Sequence, residues 1–449
     1  MDSRIIFYLL GKMKGFDMRS NRDLVQESPF WSAEQTEAYQ MRHLRRLLEH
    51  AYQHVPYYKE AFNHLGMEPP DIRSTSDLCL LEPIRKQDVL ANPEAFLADN
   101  RGAFHAKLQH TGGTTGALFS YYQDSKAWAL SWALKLRTFQ WGGFRFGKDR
   151  LGVMAGGSLT PQQGALNGNA LWRKVCRCHP MPITVLNEAT MERYFHQLQS
   201  RKIRFLRGYP SALSTFASFL CETGKSLPMQ SVFTTAEVLY PYQREWITKA
   251  FGCEVYDTYG CGDGMGHATE CERHQGLHVC PEISVMQIVD TQGDPVSPGE
   301  EGEVVLTSLF DYTMPLIRYA PGDRAVLKDG PCPCGRHGMM LERVVGRSSD
   351  VFRLSNGRLL NGLSIPLEDL DEALAQFQIV QETPDRVAVK IVPRGTVKTD
   401  LVNQIKHLMQ YHCGEGITIE VHVVDRIEVP PSGKFRYVVS LVEGNPMTR

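Results

Sequence analysis

The run His110-Thr-Gly-Gly-Thr-Thr-Gly116 has the makings of an anion cradle. Glycines let the backbone take positive φ and approach a ligand closely, so successive N–H groups can converge on phosphate oxygens, while Thr111, Thr114 and Thr115 add hydroxyl donors. No Gly-Lys-Ser/Thr follows, which excludes a Walker-type P-loop. The competing reading is a plain Gly/Thr turn. Near the other end, Pro430-Pro-Ser-Gly-Lys434-Phe-Arg436 sets a single lysine at the tip of a tight turn. An ammonium on a long stem can reach into a cleft and neutralise charge building on a phosphoryl group, or it can simply be solvated.

A second constellation is metallic. Cys332-Pro-Cys334-Gly-Arg-His337 offers two thiolates in a tight turn, and Cys271-Glu-Arg-His274-Gln-Gly-Leu-His278-Val-Cys280 offers further soft ligands. Together they could build a closed Cys3His zinc site, although the spacing is not that of a zinc finger. The alternative is a set of ordinary reduced thiols. Cys176 and Cys178 lie among Arg173, Lys174 and Arg177, a pattern compatible with a reactive thiol or with ordinary ones. The 11 cysteines are scattered and odd in number, which argues for thiols or metal ligands rather than a disulfide framework.

The elements that must position these residues belong to an ordinary globular protein. The 449 residues carry 49 Lys+Arg against 50 Asp+Glu and are 42% hydrophobic, proportions that support large cores and suggest roughly two to four domains. A net charge of −1 gives no global pull toward nucleic acid or an anionic membrane. The apolar run from Ile5 to Leu10 is too short for a signal peptide or a membrane span, so a soluble cytoplasmic protein acting on small molecules is expected.

Leu44, Leu47, Leu48, Ala51, Tyr52 and Val55 fall on one face of a helix over about 33–55. From Leu108 to about Val345, helical stretches alternate with short apolar runs such as Leu151 to Met154, Phe205 to Tyr209, Ser231 to Thr234, Val285 to Val289 and Glu303 to Thr307, the pattern of an α/β architecture with mixed sheets. Residues 155–170 read as a Gly/Gln/Asn-rich loop. The last hundred residues read as a small α+β unit. It has a hairpin around Ser355-Asn356-Gly357, a helix over about 366–377, a strand at 386–392, a helix over 400–411, and strands at 418–424 and 435–442.

Thr111 to Gly116, Ala236-Glu237, Tyr256-Asp-Thr-Tyr-Gly260, Ile317-Arg-Tyr319 with Gly322-Asp323, Gly346-Arg347 and Gly433-Lys434 occur in the order and approximate spacing of the adenylate-forming enzymes. More narrowly, the chain resembles the phenylacetate–coenzyme A ligase family, including its relatives in capsular polysaccharide biosynthesis, from the helix before His54 to Arg436. The resemblance implies a large N-terminal adenylate-forming domain over 1–346 and a small mobile α+β domain over 347–449. It also implies ATP-dependent activation of a carboxylic acid, of aryl or aryl-acetic type, to an acyl-adenylate, then transfer to coenzyme A.

On this resemblance Thr111, Gly112, Gly113, Thr114, Thr115 and Gly116 would close on the phosphates of ATP. Ala236, Glu237, Tyr256, Asp257, Thr258 and Tyr259 would line the adenine site, Asp323 and Arg347 would hold the ribose, and Lys434 would bridge carboxylate and α-phosphate. Some family members carry Cys and His around a structural zinc, which implies Cys271, His278, Cys332 and Cys334 here, with His274 the rival fourth ligand. The turn Gly208-Tyr209-Pro210-Ser211 is similar to one near the family's acyl pocket.

Two departures stand out. The family pattern Tyr-Gly-x-Thr/Ser-Glu reads Tyr259-Gly260-Cys261-Gly262-Asp263, leaving Asp263 to hold Mg²⁺ without the neighbouring hydroxyl. The hinge position is Ser349, followed by Asp350. The rival readings are an amide ligase with an amine acceptor and a non-catalytic zinc-binding scaffold. The resemblance leans toward a homodimer.

Overall fold

The computed structural model describes residues 20–111, 119–155, 177–183, 186–347, 351–355, 359–361, 374–393, 399–428 and 435–442. Gly112 to Gly116, most of the 155–170 segment, Cys176, Ser349, Asp350, Lys434 and most of the helix expected over 366–377 lie outside the described residues.

The helix Ala33–His54 begins at a capping box in which Ser32 and Gln35 satisfy each other's backbone amides. Its face of Leu44, Leu47, Leu48 and Ala51 is fully buried, as the period of the sequence demands.

Five parallel strands lie in the order Cys178–Pro182, Leu151–Ala155, Phe205–Gly208, Ser231–Thr234 and Glu254–Tyr256. Parallel neighbours require crossovers, and the helices Glu188–Ser200, Pro210–Glu222 and Pro241–Phe251 supply them, sharing one apolar core with the strands. Ala236, Glu237 and Asp257 follow the C-terminal ends of these strands, the edge at which open α/β sheets bind ligands.

A second, mixed sheet of nine strands carries Thr258–Cys261, Gly266–Glu270, Leu277–Val279, Met340–Arg347 and Asp323–Leu327 side by side. Its register sets Asp323 directly opposite Arg347. The strands Lys107–Thr111 and Phe119–Gln123 form an antiparallel hairpin with Thr111 opposite Phe119, so the Thr/Gly loop closes that hairpin.

Toward the C-terminus, Thr418–Val423, Arg386–Pro393, Leu374–Thr383 and Val438–Ser440 make a four-stranded sheet. The helix Thr399–Cys413 lays Leu401, Ile405 and Met409 into a core separate from those of the larger sheets. Two expectations are corrected here. Residues 374–377, expected as the end of a helix, open a strand, because Phe377 and Ile379 pair with Ile391 and Val389 and cross-strand burial overrides the local pattern. The strand expected over 435–442 contracts to Val438–Ser440, because the Phe435 amide and the Tyr437 hydroxyl are engaged by residues of the larger body.

The helix Ser125–Trp141 is tied at its start to the 311–313 loop by two buried aspartates. The Asp124 amide donates to Asp311 Oδ1 (2.8 Å), Ser308 Oγ donates to Asp311 Oδ2 (2.7 Å), and the Tyr312 amide donates to Asp124 Oδ2 (2.7 Å). Burial, reinforced by the adjacent Asp124 charge, pushes the Asp311 carboxyl up to about 7. A raised folded-state value means the folded chain holds a proton that the unfolded chain has released. The stabilisation is complete below about pH 4 and is lost as pH rises through about 7. Asp311→Asn, which keeps a neutral side chain at every pH, should therefore gain on the wild type in urea midpoint as pH rises from about 4 to about 7 and hold a constant advantage above that. Midpoints that run parallel across that range would show Asp311 to be ionised already.

Candidate functional site

A cavity of about 330 Å³ lies where the two large sheets meet the C-terminal unit, walled by residues 236–240, 257–260, Asp323, Gly346 and 435–438. The Tyr259 hydroxyl donates to Asp323 Oδ2 at 2.8 Å and so orients that carboxylate at the cavity wall. Ala236 is held at φ 71°, a left-handed conformation that a residue with a Cβ rarely adopts, just after the strand Ser231–Thr234.

Glu237 links three parts of the chain. Its Oε2 accepts from the Ser211 amide in the first turn of the helix Pro210–Glu222 (3.1 Å), and its Oε1 accepts from the Phe435 amide (2.9 Å). The residue that follows Lys434 is thereby held against the same wall as Ala236. Asp257 accepts from the Thr234 hydroxyl at 2.6 Å, and burial together with Glu270 raises its carboxyl to about 6. Glu270 in turn accepts from Arg244 (2.6 Å), and His274 Nδ1 lies 3.1 Å from its other oxygen.

Of the residues expected around the adenine, the structure brings Ala236, Glu237, Asp257, Thr258 and Tyr259 to this cavity, with Asp323 beside them. Tyr256 is a correction. Strand alternation turns its ring into the core against Phe233 and His274 (centroids 5.7 and 4.8 Å apart), with 6% of the residue exposed. Sequence reasoning missed Tyr240, Arg244 and Tyr437. Tyr437 accepts from Gln243 Nε2 (2.8 Å) and carries the C-terminal segment onto the helix Pro241–Phe251. The spacing of the motifs gave no signal for that contact.

Cys271, His278, Cys332 and Cys334 converge with all four ligand atoms within 4.8 Å of one another. Cys271 and Cys332 sulfurs are 3.7 Å apart, and Cys334 Sγ is 3.4 Å from His278 Nε2. Tetrahedral zinc, with bonds of about 2.3 Å to sulfur and about 2.0–2.1 Å to nitrogen, requires separations of about 3.8 and about 3.5 Å. The donor set therefore fits. Backbone amides of Arg273 and Arg336 point at the Cys271 and Cys334 sulfurs (3.5 and 3.4 Å). The rival His274 is drawn off by Glu270 and Glu254. His278 sits opposite Met340 in the antiparallel ladder, which turns it toward the Cys332–Cys334 loop. Cys178, by contrast, has its thiol pushed up to about 11 by burial and is no poised nucleophile.

Comparisons with known proteins give the chain's relatives. Residues 355–441 match the model of the CapK C-terminal domain. The phenylacetate-coenzyme A ligase of Aromatoleum evansii is 27% identical over 438 residues, covering 91% of this chain and 95% of that protein. The protein CapK of Staphylococcus aureus is 21% identical over 371 residues, covering 81% and 80%. Over most of its length the chain is similar to phenylacetate–coenzyme A ligases and to CapK. Its fold superposes on 2-hydroxyisobutyryl-CoA ligase in the postadenylation state with a TM-score of 0.74 at 20% identity, covering 92% and 91% of the two chains. The same ligase in its thioesterification state superposes with a TM-score of 0.59 at 22% identity.

The departure at Gly262 from the phenylacetate–coenzyme A ligase pattern has a steric cause. A Cβ at that position would lie 2.8 Å from the Tyr121 hydroxyl oxygen and 3.9 Å from the ring carbon that bears it. Tyr121 stands on the hairpin that the Thr/Gly loop closes, so this hairpin packs where the family's hydroxyl residue would be. Asp263 is oriented by the Tyr319 hydroxyl (2.8 Å) and the Cys261 thiol (3.0 Å). Gly262→Thr should cost about 1–3 kcal/mol through overpacking. Tyr121→Phe in the same chain, which leaves only the ordinary 3.9 Å contact, should restore most of it. Urea unfolding of the two single variants and the double variant checks this, and additive losses would rule out the steric explanation.

Proposed function

We propose that this chain condenses a carboxylate with ATP to an acyl-adenylate, releasing pyrophosphate, and then passes the acyl group to the thiol of coenzyme A, releasing AMP. A carboxylate resists nucleophilic attack because of its charge and resonance; as a mixed anhydride it has AMP as leaving group. The observation that carries this reading is the Phe435–Glu237 hydrogen bond, which ties the segment bearing Lys434 to the cavity containing the Asp323–Tyr259 pair.

In this reading Thr111 to Gly116 bind the phosphates. Ala236, Glu237, Thr258 and Tyr259 flank the base, Asp323 and Arg347 bind the ribose, and Lys434 neutralises charge growing between carboxylate and α-phosphate. Asp263 would hold Mg²⁺, which needs few carboxylates when phosphates and water complete its shell. A unit over 347–449 that swings between the two half-reactions would exchange Lys434 for the acceptor and keep water from the anhydride. Among the described residues no helix is long and apolar enough to cross a membrane. Among the described residues the cysteines form no disulfide, which suits a reducing cytoplasm.

The test is carboxylate-dependent exchange of pyrophosphate into ATP over a broad acid panel. Coenzyme A and then amines are added to the active mixture to identify the acceptor. No exchange with any acid would overturn the adenylation reading in favour of a scaffold. The Cys271, His278, Cys332 and Cys334 cluster would hold a structural zinc that pins the strand Gly266–Glu270 to the strand Met340–Arg347. About one zinc per freshly purified chain is expected, and Cys332→Ser should lose the metal and lower the melting temperature. Metal analysis that finds no zinc in unchelated protein would dispose of the site.

A further inference from the structure

Lys135, Arg207 and His267 come together from three elements, and among the described residues no carboxylate pairs with any of them. Arg207 is on Phe205–Gly208, the central strand of the parallel sheet, between Val153 and Phe233 on its neighbours. Such positions are ordinarily apolar. Its guanidinium lies 5.6 Å from the Phe139 ring of the helix Ser125–Trp141, and Lys135 is one turn earlier on that helix, its ammonium 5.4 Å from Trp132. His267 arrives from the strand Gly266–Glu270 of the mixed sheet. It is 7% exposed, and its Nε2 has no hydrogen-bond partner.

Lys135 and Arg207 are desolvated by their surroundings yet keep some accessible surface. Burial and the Arg207 charge bring the Lys135 ammonium down to about 8, and burial with the neighbouring cations takes His267 down to about 3.

The contacts with Phe139 and Trp132 offset only part of the cost of holding like charges out of water without a counter-ion. The nearby acids are committed elsewhere, Glu270 to Arg244 and Glu282 to Arg137. Among the described residues no carboxylate neutralises these cations, and an anionic ligand would supply the missing charge. Arg207 is next to the C-terminal end of its strand, the same sheet edge from which Ala236 and Asp257 emerge, but it is not part of the nucleotide cavity wall.

We propose, building on the acyl-adenylate reading above, that Lys135, Arg207 and His267 recognise a second anionic group at the far end of the acid. The substrate is then a dianionic acid, such as a dicarboxylate, whose body lies against the aromatic faces of Trp132 and Phe139. A guanidinium fork fits a carboxylate in two places at once, which suits it to this end of the substrate.

The test compares matched acids in the pyrophosphate exchange assay, phenylacetate against para-phenylenediacetate and hexanoate against adipate, for the wild type, Arg207→Met and Lys135→Met. The quantity read is the ratio of kcat/KM for the dianion to that for the monoanion within each protein, so a general loss of activity cancels. The wild type should favour the dianion, and each variant should reduce the ratio roughly ten- to hundredfold. Arg207→Met should also melt no lower than the wild type without ligand, as expected when an unpaired charge is removed; an arginine with a purely structural role would melt lower. A wild type that prefers monoanions, or a ratio unchanged in both variants, overturns the proposal. So does a change confined to the KM for coenzyme A or pyrophosphate, which would assign the cluster to their phosphates. Should no acid support exchange, the adenylation reading fails, and calorimetric titration with para-phenylenediacetate still decides the anion site. Binding weakened in Arg207→Met supports it, and no binding to the wild type overturns it.

Discussion

Lys434→Ala is expected to lose carboxylate-dependent exchange of pyrophosphate into ATP by at least about 100-fold, the scale on which removal of one preorganised charge-stabilising donor acts. The loss should fall on kcat, with ATP affinity little changed, because charge builds between the carboxylate and the α-phosphate only as the bond forms. Glu237 accepts the amide of Phe435, the very next residue, and also caps the helix Pro210–Glu222 through Ser211. The lysine's neighbour is thus fixed by main chain to a rigid wall of the cavity, which is the preorganisation that makes such a donor effective. Lys434→Arg should recover little, since a planar fork cannot replace a compact point charge. Exchange within a few-fold of the wild type in Lys434→Ala would remove this residue from the mechanism.

The largest stability effect is expected at Arg137. Its guanidinium is 5% exposed and pairs with Glu282, which is fully buried; it also donates to the Val25 carbonyl (2.8 Å), Ser28 Oγ (3.2 Å) and Cys280 Sγ (3.1 Å). The pair joins the helix Ser125–Trp141 to the N-terminal residues 25–28 and to the 280–284 stretch of the mixed sheet. Arg137→Met strands a carboxylate in the interior and should cost about 3–5 kcal/mol, the range for breaking a buried pair from one side. Arg137→Met with Glu282→Gln should recover part of that loss, because no uncompensated charge remains. Urea unfolding of both proteins decides the matter. Equal losses in the single and double variants would mean that packing against Trp141, 5.4 Å from the guanidinium, carries the effect.

Much of the scaffold was legible in the chain. The apolar stripe through Leu44, Leu47 and Leu48, the strand runs at 151–155, 205–208 and 231–234, and the helix over 399–413 follow from periodicity, because each buries a face whose spacing the local backbone geometry dictates. The meeting of Ala236, Glu237, Asp257 to Tyr259 and Asp323 at one cavity was legible only through the family resemblance, since they come from separate strands and loops. The end of the expected helix at 374–377 was misread because the partner strand at 386–393 decides its pairing from outside the local window.

What the order of residues settled by itself was the class of fold, the family resemblance and the types of donor available for chemistry, since these depend on local pattern and side-chain identity. Three-dimensional packing alone chose His278 over His274 for the sulfur cluster, through strand register and the competing carboxylates of Glu270 and Glu254. It alone put the Tyr121 hydroxyl where a side chain at position 262 would stand, and brought Lys135, Arg207 and His267 close to one another from one helix and two different sheets. Distances between remote segments follow from sheet order and helix packing, quantities no single window of sequence contains.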